Sequence, residues 1–264
     1  MRGAILNMDV TILSPYYLDQ RRNRDVYGLE DRAEHIVDIP LAADDSLQER
    51  VAAICAALAI DFDDAVRRGG RPGVLAGDCC ATIGVLAGLQ RAGLDPALIW
   101  FDAHGDFNTW ETTPSGFLGG MPLAMVVGRG EQTLLEGTGM QPLSEEKVIL
   151  TDARDLDPQE RELVNASSIL HLTRIDSLMK DDVLPTGPLY IHFDCDVIEP
   201  ALAPAMNYPA PGGPLPSELD AVFTKLVQTG RVVAVSVSLW EPRLDGGGQT
   251  RRITLNLLDT LLSG

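Results

Sequence analysis

Three short clusters in this chain carry the side chains that hold divalent cations. They are Gly77-Asp78-Cys79-Cys80, Asp102-Ala103-His104-Gly105-Asp106 and Asp194-Cys195-Asp196. Carboxylates with one or two imidazoles suit manganese and its hard or borderline relatives. The middle cluster says most, because it places two aspartates and a histidine within one short segment. The third repeats the design with two aspartates. Two such clusters suggest a two-metal site able to make hydroxide at neutral pH.

The elements that must position these clusters are apolar runs. Gly73 to Ala76 reads as a buried strand before the first cluster, Ala97 to Phe101 before the second, and Pro188 to Phe193 before the third. Further strands are expected at Lys147 to Thr151, Ser168 to Leu172 and Arg231 to Leu239. Helices are expected at Ser46 to Arg68, Ala81 to Gln90, Pro158 to Asn165 and Thr250 to Leu262. Unbroken apolar strands alternating with helices indicate an α/β fold with a parallel sheet covered on both faces. In such sheets ligands sit at the carboxyl ends of the strands. Cys79, Asp102, His104, Asp106, Asp194 and Asp196 all fall at or just past predicted strand ends. Ser14 to Pro40 and Ala201 to Pro216 resist assignment and read as long loops of the kind that serve function. With no convincing linker, residues 1–264 are expected to form one domain.

The chain has 264 residues, 45% hydrophobic and 22% charged, which is ordinary for a soluble globular protein. A formal charge of -17 argues against a nucleic-acid surface and fits weakly with a cationic substrate. No apolar segment is long enough for a membrane helix, and Met1 to Leu13 lacks the features of a signal peptide. Cys55, Cys79, Cys80 and Cys195 have no disulfide-framework spacing, so a cytoplasmic location is the expectation.

The three clusters, together with Val-Ile-Glu-Pro after Asp196, resemble the signature motifs of the ureohydrolases. This family comprises arginases, agmatinases and formimidoylglutamases, and the resemblance runs from about Val74 to the C-terminus. It implies a three-layer α/β fold with a mainly parallel sheet, and a binuclear centre of two Mn2+ bridged by hydroxide. Asp102 and Asp194 match its bridging carboxylates. His104 and Asp196 match ligands of one ion, and Asp106 matches a ligand of the other and a hydrogen-bond partner of the hydroxide. The function implied is a metal-dependent amidinohydrolase, cleaving C–N bonds in linear amidines. Its substrate would be a small cationic amidine or guanidino compound, and homo-oligomers are usual in the family.

Several positions depart from the family pattern. Cys79 stands where a histidine ligand is usual. It is either a thiolate ligand, better suited to zinc or iron than to manganese, or a small buried residue beside a site of one metal or none. Cysteine there, and the segments Gly105 to Thr109 and Gly119-Gly120, are similar to the Nω-hydroxy-L-arginine hydrolases. Gly119 replaces a histidine thought to shuttle protons, a loss that matters less for a weakly basic N-hydroxyguanidine. Asn108, Ser115 and Asp157 match positions that hold the α-carboxylate and α-amino groups of the substrate. Asp157 also reads as the N-cap of the following helix. Leu239 falls where a glutamate usually holds the guanidinium, and Glu241, on the same strand face, is the candidate substitute. His192, His171 and His35 read as packed or solvated histidines. The rival readings are a single-metal, deacetylase-like hydrolase and a catalytically weak paralogue acting as a binding or regulatory subunit.

Overall fold

The computed structural model describes residues 9–22, 29, 32–180, 182–238 and 240–263. Leu239, the position of the usual guanidinium-binding glutamate, lies outside the described residues. The strands are β1 (Asp9–Ser14), β2 (Tyr16–Tyr17), β3 (Gln20–Arg21), β4 (His35–Ile36), β5 (Arg71–Ala76), β6 (Ala97–Asp102), β7 (Val148–Asp152), β8 (Leu170–Leu172), β9 (Leu189–Asp194) and β10 (Val232–Ser238). Eight of them form one sheet in the order β4-β1-β5-β10-β9-β6-β7-β8. Every pairing within it is parallel. The main helices are α1 (Leu47–Arg67), α2 (Ala81–Arg91), α3 (Pro122–Val126), α4 (Thr133–Thr138), α5 (Pro158–Asn165), α6 (Pro216–Gln228) and α7 (Gln249–Leu262).

Strand alternation divides the core into two layers around the sheet. Leu98, Trp100 and Tyr190 face a cluster that includes Leu58 and Phe62 of α1 and Ile83 and Leu86 of α2. Ile99, Phe101, Ile191 and Phe193 face the opposite cluster, with Phe223 and Leu226 of α6 and Leu257 and Leu258 of α7. Both faces of the central strands are therefore buried, which is why they read as continuous apolar runs. Helix α1 begins at a capping box. The Ser46 N–H donates to Glu49 Oε2 at 2.7 Å and the Glu49 N–H donates to Ser46 Oγ at 3.2 Å. Helix α2 lies close on α1 because a Cβ at Gly84 would stand 2.6 Å from the Cys55 carbonyl oxygen.

The segment Ser14 to Pro40 departs from the sequence expectation of a loop. Its described residues include the antiparallel pair β2-β3 and the edge strand β4. Each is two residues long, too short to show a period. Residues 201–215 contain no helix or strand, as expected of a loop. No helix among the described residues is long and apolar enough to cross a membrane.

Candidate metal centre

The parallel register brings the three clusters to one rim. Strands β5, β10, β9 and β6 are neighbours, and their carboxyl ends carry Cys79, Ser238, Asp194 and Asp102 in that order. These residues floor a cavity of about 550 Å³. His104, Asp106 and Asp196 line it too, and so do Asn108, Ser115 and Asp157.

Two groups of donor atoms are close enough to hold an ion. In the first, Cys79, Asp102, His192 and Asp194 offer ligand atoms all within 4.8 Å of one another. In the second, Asp102, His104 and Asp196 do the same, so Asp102 belongs to both. The backbone and its neighbours hold these side chains. Asp102 Oδ1 accepts the His104 N–H at 2.7 Å, and its Oδ2 accepts Trp100 Nε1–H at 3.0 Å. Asp194 Oδ1 accepts the Asp196 N–H at 2.8 Å. Asp196 Oδ1 accepts the Ala103 N–H at 3.2 Å. Asp106 sits at a φ of 48°, a left-handed conformation unusual for a side-chain-bearing residue. Its carbonyl oxygen accepts the N–H groups of Leu123 (2.9 Å) and Ala124 (3.1 Å) at the start of α3, which anchors the turn.

The electrostatics are those of crowded, buried carboxylates. Burial raises Asp194, and the charges of Asp196 and Asp102 raise it further. Burial and the Asp102 charge raise Asp106. Asp102 is pushed up to about 6 by burial and then by Asp196. Burial opposes a charge on His104, yet its hydrogen bonds to Asp102 and Asp196 prevail and raise it to about 12. Its Nδ1 lies 3.0 Å from Asp196 Oδ2. Buried carboxylates crowded in this way destabilise one another unless a positive charge joins them. The donor set therefore fits divalent metal.

Cys79 Sγ lies 2.9 Å from Asp194 Oδ2 and 3.1 Å from Ser238 Oγ. Burial and the charges of Asp194, Asp106 and Asp102 push its thiol well up, which disfavours the thiolate. Cys80 packs immediately before α2, and Cys195 Sγ points into the second core layer, 3.6 Å from Met206 Sδ.

His192, expected from the sequence to be a packed histidine, falls within the first donor group. The signal was present: His192 precedes Asp194 by two residues and so shares its strand face. Asp106 lines the cavity but stands outside both donor groups.

Around the rim, Asp157 Oδ2 accepts from Asn108 Nδ2 at 3.0 Å, which joins two of the expected substrate contacts. The Asp157 N–H donates to Glu160 Oε2 at 3.1 Å, so the same residue also begins α5. Ser115 Oγ accepts the Phe117 N–H at 3.2 Å at the cavity mouth. Glu241 is not brought to the site. Arg243 holds its carboxylate through Nε (2.8 Å) and Nη2 (2.9 Å), with Arg22 at 3.6 Å, and it does not line the cavity. Strand β10 ends at Ser238, so the strand alternation that put Glu241 on its face does not reach residue 241. At Gly119 a Cβ would stand 2.4 Å from the Phe117 ring, so that ring occupies the space a side chain there would need.

Glu160 supports the second cluster from below. Its Oε1 accepts the Phe107 N–H at 2.8 Å. Burial raises it from 4.5 to about 7 despite its two backbone donors. The folded chain thus holds this proton more tightly than the unfolded chain. Its contribution to stability is complete below pH 4.5 and is lost as pH rises through about 7. In Glu160→Gln the fall in urea midpoint between these limits is expected to flatten, and an unchanged slope would assign that fall to other groups.

A model of the arginase family matches residues 4–263. An arginase of Bacillus caldovelox is 31% identical over 264 residues, covering 92% of this chain and 87% of that protein. An N(omega)-hydroxy-L-arginine amidinohydrolase of Streptomyces lavendulae is 33% identical over 162 residues, 61% of this chain and 57% of that one. The crystal structure of the Bacillus caldovelox arginase superimposes with a TM-score of 0.84 at 26% identity, covering 98% of this chain and 99% of the other. A formimidoylglutamase from Bacillus subtilis shares the fold at a TM-score of 0.74 and 15% identity, covering 100% of this chain and 88% of that one.

Proposed function

The chain belongs to the arginase family, a family of metal-dependent hydrolases of C–N bonds, and from that premise we propose that it is an amidinohydrolase of an α-amino acid bearing a linear amidine. The observation that carries this reading is the pair of donor groups sharing Asp102 on the floor of the cavity. In this reading residues 1–264 form a single catalytic domain, the protein is cytoplasmic and it assembles as a homo-oligomer.

Cys79, Asp102 and Asp194 would hold one ion, with Asp106 completing its surroundings, and Asp102, His104, Asp194 and Asp196 the other. Two Mn2+ are proposed, with Zn2+ or Fe2+ as the alternative that the thiol of Cys79 favours. When bound, the metal pair supplies hydroxide at neutral pH and draws charge from the reacting carbon. Asp106, raised by burial and by Asp102, would hold the attacking oxygen by a hydrogen bond. Asn108 and Ser115 would bind the substrate α-carboxylate and Asp157 its α-amino group.

The missing acids and bases narrow the substrate. Glu241 is engaged by Arg243, and Gly119 offers no imidazole, so neither a carboxylate from position 241 nor a proton shuttle at 119 serves a strongly basic guanidinium. This favours Nω-hydroxy-L-arginine, then arginine, agmatine and formimidoylglutamate. The test is steady-state assay of the manganese-loaded protein on all four. Preference for hydroxyarginine in kcat/KM supports the reading, preference for arginine overturns the order, and no C–N cleavage overturns the function.

Asp157→Asn keeps an acceptor for Asn108 and removes the charge. Loss of a charge-assisted hydrogen bond of about 1.5–3 kcal/mol is expected to lower kcat/KM roughly 10- to 100-fold for α-amino acids. 5-Guanidinopentanoate, which lacks the α-amino group, provides the comparison, and an equal loss on it would remove Asp157 from α-amino recognition.

A further inference from the structure

His192 is 1% exposed, lies one row below the carboxylates in the sheet, and has an unusual distribution of partners. Its Nδ1 has two hydroxyl partners, Ser236 Oγ at 2.7 Å and Thr82 Oγ1 at 3.1 Å. Ser236 Oγ is itself 2.6 Å from the Tyr190 hydroxyl. Its Nε2 is buried with no hydrogen-bond partner. An orphaned buried ring nitrogen is costly, and native structures seldom leave one without a purpose. The ring packs against Trp100, with centroids 4.0 Å apart, so neighbouring side chains fix its plane.

Resting on the metal-centre reading above, we propose that His192 is a ligand of the ion held by Cys79, Asp102 and Asp194, bound through Nε2, with Ser236 and Thr82 orienting the ring through Nδ1. Three observations meet here: the shared 4.8 Å donor group, the unpartnered Nε2 and the partnered Nδ1. A ligating histidine ordinarily donates its other N–H to a fixed acceptor, which sets the tautomer, and the Ser236 hydroxyl is placed to be that acceptor. A thiolate, an imidazole and two carboxylates form a four-donor set of mixed softness, well suited to zinc or ferrous iron and spectroscopically visible with cobalt. The imidazole thus offers the nitrogen ligand that Cys79 does not, from beneath the site instead of from the end of β5.

The test is an anaerobic Co2+ titration of the full chain, with ions counted per chain and thiolate-to-cobalt charge-transfer absorption followed. His192→Asn retains a polar atom near the Nδ1 position and removes Nε2. It is expected to weaken cobalt binding at the Cys79 site by about 10- to 100-fold and to change the visible d–d spectrum. Ser236→Ala leaves the ring in place and loosens it, with an expected weakening of about 10-fold, so the proposal does not depend on one variant folding. Wild-type affinity and spectrum in both variants would overturn the His192 ligand and leave the two-ion enzyme standing. Two ions in the wild type without thiolate absorption would overturn the proposed donor set alone. No bound ion in the wild type would overturn both readings.

Discussion

Asp102→Asn is expected to abolish binding at both ion positions and to lower kcat/KM by on the order of 10³-fold or more. The variant keeps the volume of the side chain and one acceptor oxygen. What it removes is the negative charge common to both donor groups. Asp102 is 1% exposed, so water does not replace that charge. Metal catalysis of this kind contributes several kcal/mol, and each 1.36 kcal/mol is a factor of ten in rate. One of two contacts, to the His104 N–H or to Trp100 Nε1–H, is also compromised, because an amide offers one acceptor where the carboxylate offers two. Asp196→Asn should be milder at the first position, since Asp196 belongs to the second group only. Equal effects of the two substitutions on cobalt absorption at Cys79 would contradict the assignment of Asp102 as a shared residue.

The largest effect expected on stability comes from Gly77→Ala. A Cβ at residue 77 would stand 2.0 Å from the Tyr16 carbonyl oxygen and 3.1 Å from the Tyr17 amide nitrogen. Both are backbone atoms, so no side-chain rotation relieves the clash. The end of β5 and the β2-β3 hairpin must separate, and the acceptance of the Leu18 N–H by Asp78 Oδ2 opposes that. Overpacking of a well-packed site typically costs 1–3 kcal/mol, and a rigid backbone partner places this one near or above about 3 kcal/mol. The same displacement moves Cys79, two residues on, so metal affinity should fall together with the urea midpoint. A midpoint within about 0.5 kcal/mol of wild type would show that the hairpin yields freely.

Much of this fold is legible because the central strands are buried on both faces. Ala97 to Phe101 and Pro188 to Phe193 are apolar at every position but His192, and the structure extends each by its terminal aspartate. Helix α5 matches its expected bounds because Asp157-Pro158 and Glu160 mark its start by chemistry. Helix α6 is absent from the sequence expectations, although Pro216 at its first turn and Leu219, Val222, Phe223 and Leu226 at helical spacing are its signal. The Pro- and Gly-rich segment before it obscured that period. Strand β1 was hidden in the same way, as an apolar run in a segment read only for targeting features.

The three clusters of candidate ligands are legible because each follows its strand directly, so local sequence and spatial position coincide. Glu241 and His192 show where that coincidence ends. Glu241 lies past the end of β10, and Arg243, two residues on, claims its carboxylate, with the distant Arg22 beside it. His192 lies inside a strand, where an imidazole ordinarily packs. Only the register that sets it beside Trp100 and Ser236 reveals that one ring nitrogen is held and the other is not.

Cys79, Asp102, His104, Asp194 and Asp196 are proposed to build two adjoining ion sites. The most direct measurement is metal content per chain, taken after loading with manganese and dialysis, for the wild type and Asp102→Asn. Two ions in the wild type and none in the variant is the predicted result. An Asp102→Asn protein that retains both ions, or a folded wild type that holds none, would contradict it.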